Sequence, residues 1–127
     1  MVNTRTHIGA LAATAFVGCF LPIIAAHAQP PGFCGAHEDP FVCTARNQTS
    51  PPTAGESTFI GVLRGPLGTT EAKLLVAGRT ICTQLSAGAS GQYVATEVGA
   101  YLGIDRRAGG QVLEEAVQDI CPGVHVS

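Results

Sequence analysis

A chain of 127 residues with a formal net charge of −2, 13% charged residues and no tryptophan has material for one small domain and little more. Its few lysines and arginines gather in no run or stripe, which excludes a basic nucleic-acid-binding face. A core this small is marginal without a covalent staple, so the five cysteines carry weight from the outset.

The first segment reads as an export signal. Arg5 gives a short positive start, and an apolar run, IGALAATAFVGCFLPIIAA, follows from Ile8 to Ala26. Ala26-His27-Ala28 is an A-x-A cleavage pattern, and the prolines after Gln29 cannot extend a helix. Residues 1–28 are therefore expected to be a secretory signal peptide cut after Ala28. Pro22 and the cleavage pattern argue against a retained membrane span. The lesser alternative is a lipid anchor on Cys19, from the lipobox-like FVGC. It is disfavoured because Phe16 is a poor residue there and the apolar run continues past the cysteine.

Residues 29–56 have the composition of an arm. Pro30, Pro31, Pro40, Pro51 and Pro52 interrupt any helix, and no hydrophobic period is sustained. Cys34 and Cys43 close a small loop at its front, and NQTSPPTAG reads as linker.

Helical patterns begin after the linker. Ser57 is expected to cap a short helix carrying Phe59, Ile60, Val62 and Leu63, ended by Gly65-Pro66. Thr69 or Thr70 then caps a longer one with Glu71 in its first turn and Leu74, Leu75, Ile81, Cys82 and Leu85 on its apolar side. Gly78 inside this pattern predicts close approach of a neighbouring helix, since glycine there otherwise costs about 1 kcal/mol. Ser90 caps a third helix, with Tyr93, Val94, Val98, Tyr101 and Leu102 as its stripe and Gly103 as its stop. Asp105 caps the last, where Val112, Leu113, Ala116, Val117 and Ile120 recur at helical spacing. The expected fold is all-α: about four short helices over residues 57–123, preceded by the arm and followed by a tail, residues 124–127.

Removing Cys19 with the signal leaves Cys34, Cys43, Cys82 and Cys121, an even set in an exported chain. Counting alone allows three connectivities. Position favours Cys34 with Cys43, close together in the arm, and Cys82 with Cys121, both in helical patterns far apart. Closing that longer loop is worth roughly 4 kcal/mol in the chain-entropy description. Zinc on Cys34, His37 and Cys43, with another cysteine or His125, is the competing use. The spacing fits no compact structural zinc pattern, and export favours disulfides over thiolates.

The stretch FIGVLRGPLG…LLVAGRTICTQLSAG…AVQDICPG resembles the small secreted proteins of mycobacteria grouped as domain-of-unknown-function family 732. The positions that carry the resemblance are Phe59, Leu63, Gly78, Cys82, Leu85, Ala116, Cys121 and Pro122, within roughly residues 57–123. The chain departs from that family at Ile120, where an aromatic is common, and in the paired glycines of DRRAGGQV. Cys34 and Cys43 fall outside the match. The resemblance implies a secreted helical domain with a Cys82–Cys121 bridge. It implies no activity, because the family has none assigned.

No G-x-S-x-G elbow, H-E-x-x-H, phosphate-cradling loop or EF-hand loop occurs in the sequence. His37 and His125 have no nucleophile beside them, and oxidised cysteines offer no thiolate. The expectation is a protein that is not an enzyme, takes no cofactor, and acts as a binding or envelope-associated module. Its partner would be an envelope protein engaged by the arm or an apolar small molecule. The alternative is a carrier holding a lipid or haem between amphipathic helices, with Phe59, Tyr93 and Tyr101 lining the pocket, though such aromatics more often belong to a core.

Overall fold

A computed structural model describes residues 34–127; the signal segment, its cleavage pattern and Cys19 lie outside the described residues. Five helices follow one another: α1 Pro40–Asn47, α2 Ala54–Leu67, α3 Glu71–Ser86, α4 Gly91–Leu102 and α5 Arg106–Asp119. There is no strand among the described residues. The fold is small and all-α, as its sequence leads one to expect, with one helix more than the patterns show.

That additional helix lies in the arm. Pro40 starts α1 instead of breaking it, because proline at the first position loses only an N–H that has no intrahelical partner anyway. The Asp39 carboxylate accepts from the N–H groups of Phe41 and Val42 and completes the cap. Phe41 and Cys43 are buried, so α1 is part of the domain and not a free arm.

The start of α2 also differs from expectation. Thr53, not Ser57, is its N-cap. The Thr53 hydroxyl accepts from the Glu56 N–H at 3.2 Å, and the Glu56 carboxylate accepts from the Thr53 N–H at 2.9 Å, a reciprocal capping box. At the other end α2 runs through Pro66 to Leu67. Proline normally clashes with the Cβ of the residue before it; here that residue is Gly65, which has none. The stop comes at Gly68, in the left-handed region with φ 61°. The remaining caps are Thr70, Ser90 and Asp105, with Gly103 ending α4, each at its expected place.

Helix α3 is the centre of the domain and packs against each of the other four. Leu74 to Gly78 form a continuous buried run, joined by Thr80, Ile81 and Leu85, so this helix is enclosed on most sides. Gly78 does admit a close neighbour: a Cβ there would meet the Phe59 ring at 3.0 Å and Ile120 Cδ1 at 2.7 Å. The most extensive pairing is α4 with α5. It passes through Gly109, where a Cβ would run into the Ala95 carbonyl oxygen and lie 3.2 Å from the Gly99 backbone. Gly110, next to it, faces open space.

The tail does not hang free. The Gly91 N–H donates to the Ser127 carbonyl at 3.0 Å, Val124 packs against the core, and Val126 lies over Gly91 at the start of α4.

Candidate functional site

Both disulfides form as the positions of the cysteines suggest. Cys34 and Cys43 have Cα atoms 5.7 Å apart, and Cys82 and Cys121 have theirs 6.0 Å apart. The first ties residue 34 to the core-facing side of α1; the second ties the middle of α3 to the residues just beyond α5. With Cys34 bonded to Cys43, a zinc site built on those two thiolates is not available.

A third fastening is an ion pair that composition and spacing did not reveal. Arg79 on α3 grips the Glu56 carboxylate on α2 with two N–H groups, at 2.7 and 2.8 Å. The same guanidinium donates to the carbonyls of Ser50 and Pro51 at 3.3 and 3.1 Å, holding the linker against α3. Both side chains are largely buried, 17% and 7% exposed. The Arg79 hydrogen bonds hold the Glu56 carboxyl below its ordinary range despite the opposing effect of burial.

Because the folded-state value lies below the unfolded one, the stabilisation is fully present above the ordinary glutamate value of about 4.3. It is lost as pH falls through the folded value. Glu56→Gln is expected to cost about 2 kcal/mol at pH 7 and to flatten the fall in stability below about pH 4.3. Urea titrations of both proteins from neutral to acid pH check this.

The three aromatics proposed to line a ligand pocket do not meet. Phe59 is fully buried at 0% exposure and belongs to the core. Tyr101 stacks on Phe41, ring centroids 4.4 Å apart and planes within 10°, with the Lys73 ammonium 5.1 Å from its ring. Burial, assisted by the negative charge of Asp39, pushes its phenol up, so Tyr101 stays protonated at neutral pH and offers no phenolate. Tyr93 is 53% exposed and lies outside the stripe expected for it; Val94, Ala95, Val98 and Gly99 face inward instead.

Tyr93 has a different setting. It borders an open groove between the Cys34 loop and α3, whose other walls include Cys34, Pro40, Thr44, Thr80 and Thr83. The floor is fixed by a hydrogen bond from the buried Thr80 hydroxyl to the Thr44 hydroxyl at 2.8 Å. On the loop side, the Glu38 carboxylate pairs with Arg46 and accepts from the Gly35 N–H at 3.1 Å. The groove is thus walled by one disulfide, one exposed aromatic, the Glu38 carboxylate and a row of hydroxyls.

Elsewhere, Glu115 and Asp119 share a hydrogen bond on α5. This raises the Glu115 carboxyl, with burial and the Asp119 charge adding to the effect. His37 and His125 are exposed and stand on separate elements. Among the described residues no group of three or more histidines, cysteines and carboxylates gathers in metal-binding proximity, and no helix is long and apolar enough to cross a membrane.

A family model described as protein of unknown function (DUF732) matches residues 55–123. No curated protein and no solved structure gives a significant match. The matched stretch runs from α2 to just past Cys121, so it contains the Cys82–Cys121 bridge and excludes α1 with the Cys34–Cys43 bridge.

Proposed function

The chain belongs to the family of proteins of unknown function DUF732, and from that premise we propose that it is an exported, non-enzymatic binding protein that works outside the cytoplasm. The observation that carries the reading is the pair of disulfides. Such bonds persist where thiols are oxidised, which suggests an extracellular protein. The apolar segment ending in Ala26-His27-Ala28 supplies the route there. Binding is assigned to the groove beside the Cys34 loop, where Tyr93 is held half out of the surface by a helix whose other face is locked into the core. Its partner is an envelope-associated protein. The carrier alternative loses its proposed lining, since Phe59 and Tyr101 are engaged in packing contacts with the protein itself.

Intact mass of the protein isolated from its host's culture medium and envelope fraction tests this. The expected species begins at Gln29 and gains four hydrogens on reduction, with no adduct released on denaturation. A non-covalent lipid or haem adduct would make it a carrier. A diacylglyceryl chain beginning at Cys19 would place it on a membrane anchor, and recovery only from cytoplasm would end the proposal.

A further inference from the structure

The two disulfides sit in unlike surroundings, and the Cys34–Cys43 bond is the asymmetric one. Cys34 is exposed, whereas Cys43 is buried at 0% on the inner side of α1. A reagent in solvent therefore approaches the bond from the Cys34 side, which borders the open groove, and not from the enclosed Cys43. The buried sulfur is also solvated by the protein: Asn47 Nδ2 lies 3.3 Å from Cys43 Sγ and Arg46 Nη2 lies 3.7 Å from it. Both groups are donors, and one carries a formal positive charge, the environment that lowers the pKa of a thiol and makes it a better leaving group.

We infer that Cys34–Cys43 is a thiol-exchange site, attacked at Cys34 Sγ and opened with Cys43 as the departing thiolate. The partner it fits is a dithiol. One thiolate of that partner attacks Cys34 Sγ, forming a mixed disulfide, while the S–S bond breaks and its electron pair leaves on Cys43 Sγ. The partner's second thiol loses a proton and attacks the partner's first sulfur, forming the partner's disulfide as that sulfur's bond to Cys34 Sγ breaks. Cys34 departs as a thiolate and takes up a proton, as does Cys43. Two electrons and two protons have moved, the partner is left oxidised, and the chain carries two thiols.

Opening the bond leaves most of the domain in place. Helix α1 remains docked through buried Phe41 and the Thr80–Thr44 hydrogen bond. The segment in front of it is held in part by the exposed Glu38–Arg46 pair and by hydrogen bonds between Glu38 and Gly35, contacts of the modest strength usual at a surface. Since Cys34 is a wall of the groove bordered by Tyr93, exchange at this bond loosens that wall. The whole device lies outside the family match, an addition to a domain that carries its own bridge. The inference requires the bond to form and does not depend on the identity of the groove's partner.

The test uses the protein as isolated from its host, treated at pH 7 with graded dithiothreitol, quenched with a maleimide and mapped by peptide mass. Cys34–Cys43 is expected to open at least tenfold faster than Cys82–Cys121, with the helical circular dichroism unchanged. Arg46→Met is expected to slow the first opening by roughly threefold, the effect of about one pKa unit on an exchanging thiol. With glutathione in place of dithiothreitol, the mixed disulfide should map to Cys34 and the maleimide to Cys43. Equal opening rates, loss of helix at the moment the first bond opens, an unchanged rate in Arg46→Met, or glutathione on Cys43 would each overturn the inference.

Discussion

Replacing Cys82 and Cys121 together by alanine lowers the free energy of unfolding by about 4 kcal/mol, the largest loss expected from any small change in this protein. The bond closes a loop with a sequence separation of 39, against 9 for Cys34–Cys43, whose loss is expected to cost only about 2.7 kcal/mol in the same chain-entropy description. It joins the central helix α3 to the end of α5, so its absence lets the unfolded chain expand over the whole second half of the domain. A domain of this size has roughly 5–10 kcal/mol in total, so the variant is expected to be folded but close to its limit. Urea unfolding measures both consequences: a lower midpoint, and a steeper denaturant dependence because the unfolded state is more open. A midpoint shift no larger than that of the Cys34/Cys43 double alanine variant would show that the bridge merely decorates contacts already sufficient.

Gly109→Ala is expected to cost about 3 kcal/mol, the upper part of the usual range for forcing an atom into a packed interior. The obstacle is backbone: the new methyl would overlap the Ala95 carbonyl oxygen and crowd the Gly99 backbone, and neither can swing aside. Helices α4 and α5 would have to separate along their whole contact. Gly110→Ala, one residue on, meets nothing within 4 Å and is expected to add about 0.5–1 kcal/mol of stability through helix propensity. Gly78→Ala falls between them, because its obstacles are the end of Ile120 and the edge of the Phe59 ring, which can yield. Thermal unfolding of the three variants checks the order. Equal effects at Gly109 and Gly110 would mean that the crossing is looser than described.

Much of this architecture is written in local signals, and the exceptions have identifiable causes. Ser90, Gly103 and Asp105 work within one turn of chain, so their roles at the ends of α4 and α5 are readable from neighbours alone. Pro40 is ambiguous in the same local terms, since proline both ends helices and starts them; what decides is Asp39 before it and a core for Phe41 to enter. The Thr53–Glu56 capping box has a legible spacing, but Ser57 satisfies the simpler rule nearby. Tyr93 and Tyr101 share a helix yet not a fate, because Val94 and Val98 set which side of α4 turns inward. The Arg79–Glu56 pair joins residues 23 apart, and only the packing of α2 on α3 brings them together. The groove at the Cys34 loop depends in turn on α1, the element least visible in the sequence.

The order of the two bridges along the chain has a further consequence. Cys34 pairs with the next cysteine, and Cys82 with the one after it, so the two covalent loops are consecutive and neither encloses the other. For a chain delivered N-terminus first across a membrane, as the proposed export route would do, Cys34 and Cys82 each reach the oxidising side with their own partner as the next cysteine of residues 34–127 to follow. An oxidase that joins thiols in order of arrangement makes the native bonds without an error to undo. Such a protein should mature normally in a host lacking disulfide isomerase and fail only where the oxidase itself is missing.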